Sequence, residues 1–156
     1  MQFTILRFTM KFTAIISLAA FAIPALAVTQ YTVSYDPIYD VGSTSLDQVA
    51  CSNGANGLES DGYTNFKSIP SFPYIGGAPQ IAGWNSKYCG SCWKLAYTVK
   101  GKTTSINVTA LDTGDQDLEG FNISLEAMNA LTGGKAKDLG RVSITATQVD
   151  GGACKL

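Results

Sequence analysis

A mainly β, single-domain fold with short peripheral helices, secured by disulfides, is what this sequence predicts. Three observations predict it. Apolar and polar residues alternate with period two in several segments, turn residues separate those segments, and four cysteines lie in a chain that opens with an export leader.

Arg7 and Lys11 precede an apolar run from Phe12 to Leu26 that closes on Ala25-Leu26-Ala27, the small-x-small pattern cut by a signal peptidase. Met10 offers an equally good start. A membrane-spanning helix needs about 20 apolar residues, and this run meets Pro24 and a cleavage site with no stop-transfer charges behind it. Residues 1–27 therefore read as a signal peptide, and residues 28–156 as one domain bound for the extracellular space or the cell wall. That length supports one core but not two.

Arg7 and Lys11 leave with the leader, so 9 basic residues face 12 acidic ones, a net charge of −3. No run of Lys or Arg offers a phosphate-tracking groove or an anionic-membrane contact, so neither nucleic acid nor a membrane is an expected partner. An even number of cysteines in an exported chain most simply forms two disulfides, and spacing alone leaves three pairings of Cys51, Cys89, Cys92 and Cys154 open. Cys89-Gly90-Ser91-Cys92 also has the spacing of a redox pair or half a zinc site, but there is no second CxxC and no histidine. No metal and no cofactor are expected.

Taken in order, Thr32-Val33-Ser34-Tyr35 alternates as a strand. Ser45 with Gln48 three residues on is a capping box before Leu46, Val49 and Ala50, which predicts a short helix ending at Cys51. Ser52 to Gly83 is a long, irregular excursion rich in Gly, Pro, Asn and Ser, expected to be held by the disulfides and to shape one side of a binding surface. Trp93 to Val99 and Ser105 to Ala110 alternate around Lys100-Gly101-Lys102, so Trp93 to Leu111 reads as a β-hairpin. Ser124 caps a helix over Leu125 to Leu131 that Gly133-Gly134 stops, and Val142 to Thr147 is a further strand.

Without histidine, the Ser-His-Asp and Cys-His arrangements are excluded, and paired cysteines leave no thiolate nucleophile. Carboxylates remain, with Asp112, Asp115, Asp117 and Glu119 close together. Their spacing departs from a calcium loop, which alternates ligands at positions 1, 3 and 5 and has glycine at position 6. Asp112-Thr113-Gly114 after an apolar strand matches the aspartic-protease tripeptide, but Asp115 would place another charge beside the dyad. Asp115, Asp117 and Glu119 read as a solvated turn. Asp112 stands apart, because it directly follows a buried-type strand where a carboxylate needs hydrogen-bond donors. It either ties down a loop through backbone N–H groups or contacts a sugar.

Neutral sugars are held by apolar aromatic faces with amides and hydroxyls around them. The chain offers Tyr63, Phe66, Tyr74, Trp84, Tyr88 and Trp93, interleaved with Asn53, Asn56, Asn65, Gln80 and Asn85. Trp93, alternating in a strand, is expected in the core, and Trp84 and Tyr63, in polar loops, at the surface. Gly54, Gly76 and Gly77 would admit a ligand close to the backbone, although turn geometry also explains them. Asn107-Val108-Thr109 and Asn122-Ile123-Ser124 match the N-glycan sequon.

Val33-Ser34-Tyr35-Asp36, Cys51-Ser52-Asn53-Gly54-Ala55-Asn56-Gly57-Leu58, Phe72-Pro73-Tyr74-Ile75-Gly76-Gly77, Gly83-Trp84-Asn85-Ser86-Lys87-Tyr88-Cys89-Gly90-Ser91-Cys92, Ala110-Leu111-Asp112-Thr113-Gly114 and Gly120-Phe121-Asn122-Ile123-Ser124 together resemble the cerato-platanin family, in order and with all four cysteines. The resemblance implies a six-stranded double-ψ β-barrel like that of expansins, with disulfides Cys51–Cys89 and Cys92–Cys154. It also implies a secreted fungal protein that binds chitin-type oligosaccharides, weakens cellulose without hydrolysis, assembles at interfaces and is perceived by a plant receptor.

In expansins and in endoglucanases of the same barrel, the position matching Asp112 holds the general acid. Hydrolysis with inversion needs a second carboxylate about 6.5–9.5 Å away, for which Asp36, Asp40, Glu59 and Asp61 are the candidates. The expectation is a non-catalytic polysaccharide binder using Asp112, Tyr63, Trp84, Asn85, Gly76 and Gly77. A weak endoglucanase and a surface-active coat or elicitor protein are the rivals.

Overall fold

A computed structural model describes residues 29–156, so the leader and its cleavage site lie outside the described residues. Six strands, β1 (Gln30–Tyr35), β2 (Ile75–Ala78), β3 (Cys92–Val99), β4 (Lys102–Thr113), β5 (Gly120–Ile123) and β6 (Val142–Val149), close into a barrel in the order β1-β5-β2-β4-β3-β6. The sheet is mixed: β1 runs parallel to β5 and β2 parallel to β4, while the other four pairings are antiparallel. Closure leaves no free sheet edge.

The expected hairpin forms between β3 and β4. Lys100 and Gly101 carry φ values of 49° and 77° between the paired Val99 and Lys102, the two-residue turn whose twist matches the strands. Period-two burial then follows: Trp93 and Leu95 are buried, Lys94 is exposed, and Trp93 packs edge-on against Phe121 at 5.5 Å.

Helix α1 (Leu125–Thr132) starts and stops as its sequence predicts. Ser124 Oγ accepts the Ala127 N–H at 3.0 Å, and Gly133 ends the helix at φ 67°. Asp40 adds a cap from 85 residues away, its two oxygens accepting the N–H groups of Leu125 and Glu126 at 2.7 and 3.0 Å. Ala127, Met128 and Leu131 form the buried face. A single further turn, α2 (Ala136–Leu139), follows.

Two expectations need correction. The segment after Ser45 is not an α-helix reaching Cys51 but one 3₁₀ turn, Leu46–Gln48. Ser45 Oγ accepts from Asp47 N–H and donates to Asp47 Oδ2, so the side chain that completes the turn is Asp47 rather than Gln48. Ser52 to Gly83 is also not irregular throughout. It contains two 3₁₀ turns, Leu58–Asp61 and Phe66–Ser68, and β2, which is buried along its whole length.

The disulfides are Cys51–Cys89 and Cys92–Cys154, with Cα separations of 5.3 and 5.8 Å. The two cysteines of the CxxC therefore bond to different partners, which removes the redox-pair reading, and no thiol is free. They close spans of 38 and 62 residues, each worth about 4 kcal/mol in the chain-entropy model. Among the described residues no helix is long and apolar enough to cross a membrane.

Candidate carbohydrate-binding surface

The Cys51–Cys89 bond joins two polar loops, 51–57 and 83–89. Their side chains then interlock. Asn53 Oδ1 accepts the Trp84 indole N–H at 2.9 Å, Asn85 Oδ1 accepts the Asn56 backbone N–H at 2.9 Å, and Asn56 Nδ2 donates to the Asn85 carbonyl at 2.9 Å. Asn85 sits at φ 59°, a left-handed conformation that Asn tolerates. Gly54, at φ 94°, is required for the close fit: a Cβ there would lie 2.7 Å from Asn85 Oδ1 and 3.2 Å from Trp84 Cζ2.

The result is a tryptophan fixed by its polar edge with its apolar body outside. Trp84 is 65% exposed. Leaving that much indole in water forgoes about 3 kcal/mol of burial free energy. Nearby in sequence, the Lys87 ammonium lies 5.1 Å from the Tyr88 ring centroid. Tyr63 is half-buried against the core, and Phe66 and Trp93 are core residues.

Asp112 approaches the same segment from its other end. Its Oδ1 accepts the N–H groups of Ala50 and Thr113 at 3.0 and 2.8 Å, and its Oδ2 accepts the Tyr39 hydroxyl at 3.0 Å. Three of about four carboxylate lone pairs are thus engaged within the chain, leaving one on Oδ2. Burial, then the facing Asp112 carboxylate and its hydrogen bond, push the Tyr39 hydroxyl pKa well above its usual value, with Asp36 adding to the effect.

Three of the four candidate partner carboxylates have other engagements, and the fourth lies in solvent. Asp36 Oδ1 caps the 3₁₀ turn after β1 through Ile38 N–H, and Asp40 caps α1. Glu59 faces Asp47: desolvation first, then that neighbouring carboxylate, raise the Glu59 pKa. Asp61 is exposed at the end of a 3₁₀ turn.

Gly76 and Gly77 lie in β2 and are buried. A Cβ on Gly76 would meet the Asn122 carbonyl, and one on Gly77 the Thr113 carbonyl, so what these glycines admit closely is a neighbouring strand.

A closed six-stranded mixed ring, two disulfides that follow one another along the chain and a disulfide-joined pair of polar loops carrying Asn53, Asn56 and Asn85 define this chain. The cerato-platanin family profile matches residues 31–156. The chain belongs to the cerato-platanin family. It is 45% identical to "Allergen Asp f 15" of Aspergillus fumigatus, over 93% of this chain and 97% of that one. The crystal structure of cerato-platanin 2 from M. perniciosa superposes with a TM-score of 0.76 at 41% identity, covering 82% of this chain and 100% of that one. The solution structure described as the fungal elicitor Cerato-Platanin gives a TM-score of 0.66 at 40% identity, over 79% and 95% of the two chains.

Two parts of this cerato-platanin chain escaped the sequence reading. Asp115 is not merely solvated: its Oδ2 meets Arg141 Nη2 at 2.7 Å, and Arg141 also donates to Thr32 and Ser34 of β1, so the acidic turn is pinned to the barrel wall. Tyr39 gave no sign of pairing with Asp112, 73 positions away. The one legible hint was that a carboxylate after a buried strand needs donors. Among the described residues no cluster of three His, Cys, Asp or Glu is arranged to hold a metal.

Proposed function

We propose that this chain is a secreted, non-hydrolytic binder of neutral wall polysaccharide of the chitin or cellulose type. It grips the chain by stacking on Trp84 and by hydrogen bonds from the surrounding amides. The observation that carries this reading is the exposure of a tryptophan whose indole N–H is already held by Asn53. An unneeded ring would be driven inward; one anchored outward is organised for a ligand's apolar face. Asn53, Asn56 and Asn85 fix the loops, and Tyr63 adds partial aromatic surface. Asp112 orders the segment that leads into this surface and keeps one acceptor position for a sugar hydroxyl. Loosening of the wall follows from competition for hydrogen bonds between polysaccharide chains, stoichiometric in contacts and without turnover. The relative described as a fungal elicitor supports a further role in perception by a plant receptor.

An NMR titration with chito- and cello-oligosaccharides tests this. Shifts are expected to cluster on residues 53–56 and 83–88. Trp84→Ala should weaken binding at least about tenfold while changing folding stability by less than about 0.5 kcal/mol. Binding unaffected by Trp84→Ala would refute the proposed surface. Release of reducing ends from soluble glucan, lost in Asp112→Asn, would replace it with the endoglucanase reading. Clean interfacial assembly with no sugar-induced shifts would favour a coat protein, whose exposed apolar residues would include Leu118, Val41 and Ile38.

A further inference from the structure

The sequon Asn107-Val108-Thr109 takes no part in the surface around Trp84, and the fold gives its asparagine a distinct setting. Asn107 in β4 pairs with Lys94 of β3, which pairs in turn with Thr147 of β6, and both of these neighbours are exposed. Val108, the next residue, is buried opposite Trp93. Asn107, itself half-buried, therefore lies on the outer face of the strand just before its buried stretch. Its Nδ2 donates to the Ala153 carbonyl at 3.1 Å. Beside it opens a cleft of about 360 Å³ lined by Phe72, Tyr74, Ile106, Asn107 and Lys155 among others. That volume lies near the lower end of small-ligand sites, about 300–1,000 Å³, and suits one sugar ring rather than a chain.

The second sequon is set differently. Asn122 Oδ1 accepts from Ser34 Oγ at 3.1 Å, and Ser34 Oγ itself accepts from Arg141, so this side chain is tied into the network that holds the acidic turn.

We propose that Asn107 carries an N-linked glycan whose first N-acetylglucosamine lies in this cleft, against the rings of Phe72 and Tyr74. The donor is a lipid-pyrophosphate-linked oligosaccharide of the secretory membrane. A bond forms between Asn107 Nδ2 and C1 of the first sugar. The C1–O bond to the pyrophosphate breaks, the lipid pyrophosphate leaves with its electron pair, and Nδ2 gives up one of its two protons. The remaining N–H still serves the Ala153 carbonyl. Thr109 is fully buried, with its hydroxyl 2.7 Å from Ser71 Oγ, so the transfer precedes closure of β4 into the barrel. The inference rests on the secretion reading.

The test is the full chain, leader included, secreted by a yeast host and recovered from the medium. Intact mass is compared before and after peptide:N-glycosidase, for the parent chain and for Asn107→Gln and Asn122→Gln. The expected result is a glycan mass lost in Asn107→Gln and retained in Asn122→Gln. A bare polypeptide mass in the medium, or a glycan on Asn122 instead, overturns the proposal while leaving secretion intact; absence from the medium overturns the secretion reading and the glycan with it. Trimming to the single innermost sugar should keep the melting temperature, and a sugar-free form made without glycosylation should melt a few degrees lower. That form serves as the stripped one because the glycosidase would turn Asn107 into aspartate. Tyr74→Ala should abolish that difference. Equal melting temperatures for the trimmed and stripped forms of the parent overturn the placement in the cleft.

Discussion

The Asp112 cluster and the Trp84 cluster use similar polar chemistry for opposite ends. Around Asp112, donors from Tyr39, Ala50 and Thr113 converge on one half-buried carboxylate, and almost all of its capacity is taken by the chain itself. Around Trp84, amides fix loop geometry and one indole edge but leave the ring's large apolar surface in water. The difference teaches how to separate scaffold from contact surface: a satisfied group holds the fold, whereas an apolar group held out of the core is available to a partner.

The comparison breaks most readily at the Cys51–Cys89 disulfide, which joins the loops around Trp84 and whose Cys51 directly follows Ala50 of the Asp112 cluster. Replacing Cys51 and Cys89 with alanine should lower stability by about 4 kcal/mol, read from the urea midpoint, a large fraction of a typical 5–15 kcal/mol. Retention on insoluble polysaccharide should fall with it, because the loops carrying Asn53 and Trp84 are no longer joined.

Asp112→Ala comes next. It leaves the Ala50 and Thr113 N–H groups and the Tyr39 hydroxyl without an acceptor, a loss of about 3 kcal/mol, whereas Trp84→Ala should leave the midpoint nearly unchanged. Equal destabilisation by the two substitutions would erase the distinction between them.

Alkaline titration sharpens the same point at Tyr39. Its folded pKa lies above the unfolded value of about 10, so the stability it contributes is complete below that pH and is lost as pH rises beyond it. Each unit above should cost about 1.4 kcal/mol, and Tyr39→Phe should flatten the slope of the denaturation midpoint against pH. A wild-type slope no steeper than that of the variant would place Tyr39 in solvent.

The smallest effect is expected at Glu59. Its raised pKa contributes stability below the ordinary carboxylate range that is lost as pH rises through the folded value. Asp47→Asn should bring the Glu59 titration back down, measured by side-chain carboxyl NMR. An unmoved midpoint would show that Asp47 does not act on it.

Strands β1, β3, β4 and β6 and helix α1 were legible because each carries a local signal: alternation, a Lys-Gly turn, or a serine cap with a glycine stop. Strands β2 and β5 were not legible from period or propensity. Ile75-Gly76-Gly77-Ala78 has poor strand propensity, and it pairs parallel to β4 and antiparallel to β5, both distant in sequence. The predicted helix after Ser45 failed because its capping pattern is only a local preference; the chain leaves the turn at Val49 with extended backbone, and Ala50 is held by Asp112. Within the candidate surface, the tryptophan and the asparagines could be named from composition, but not that Asn53 would meet Trp84 while Asn56 met Asn85.

The sequence by itself determined the alternating strands, the hairpin turn, the capped helix, the lack of histidine chemistry and, through ordered motifs, the family. Each of these depends on neighbours in the chain or on residue type alone. Only the tertiary structure decided that Asp112 is shared among Tyr39, Ala50 and Thr113, that Arg141 pins the acidic turn, and that Gly76 and Gly77 face strands. Those arrangements depend on groups brought together by barrel closure, and no local preference encodes which distant partner a polar side chain will meet.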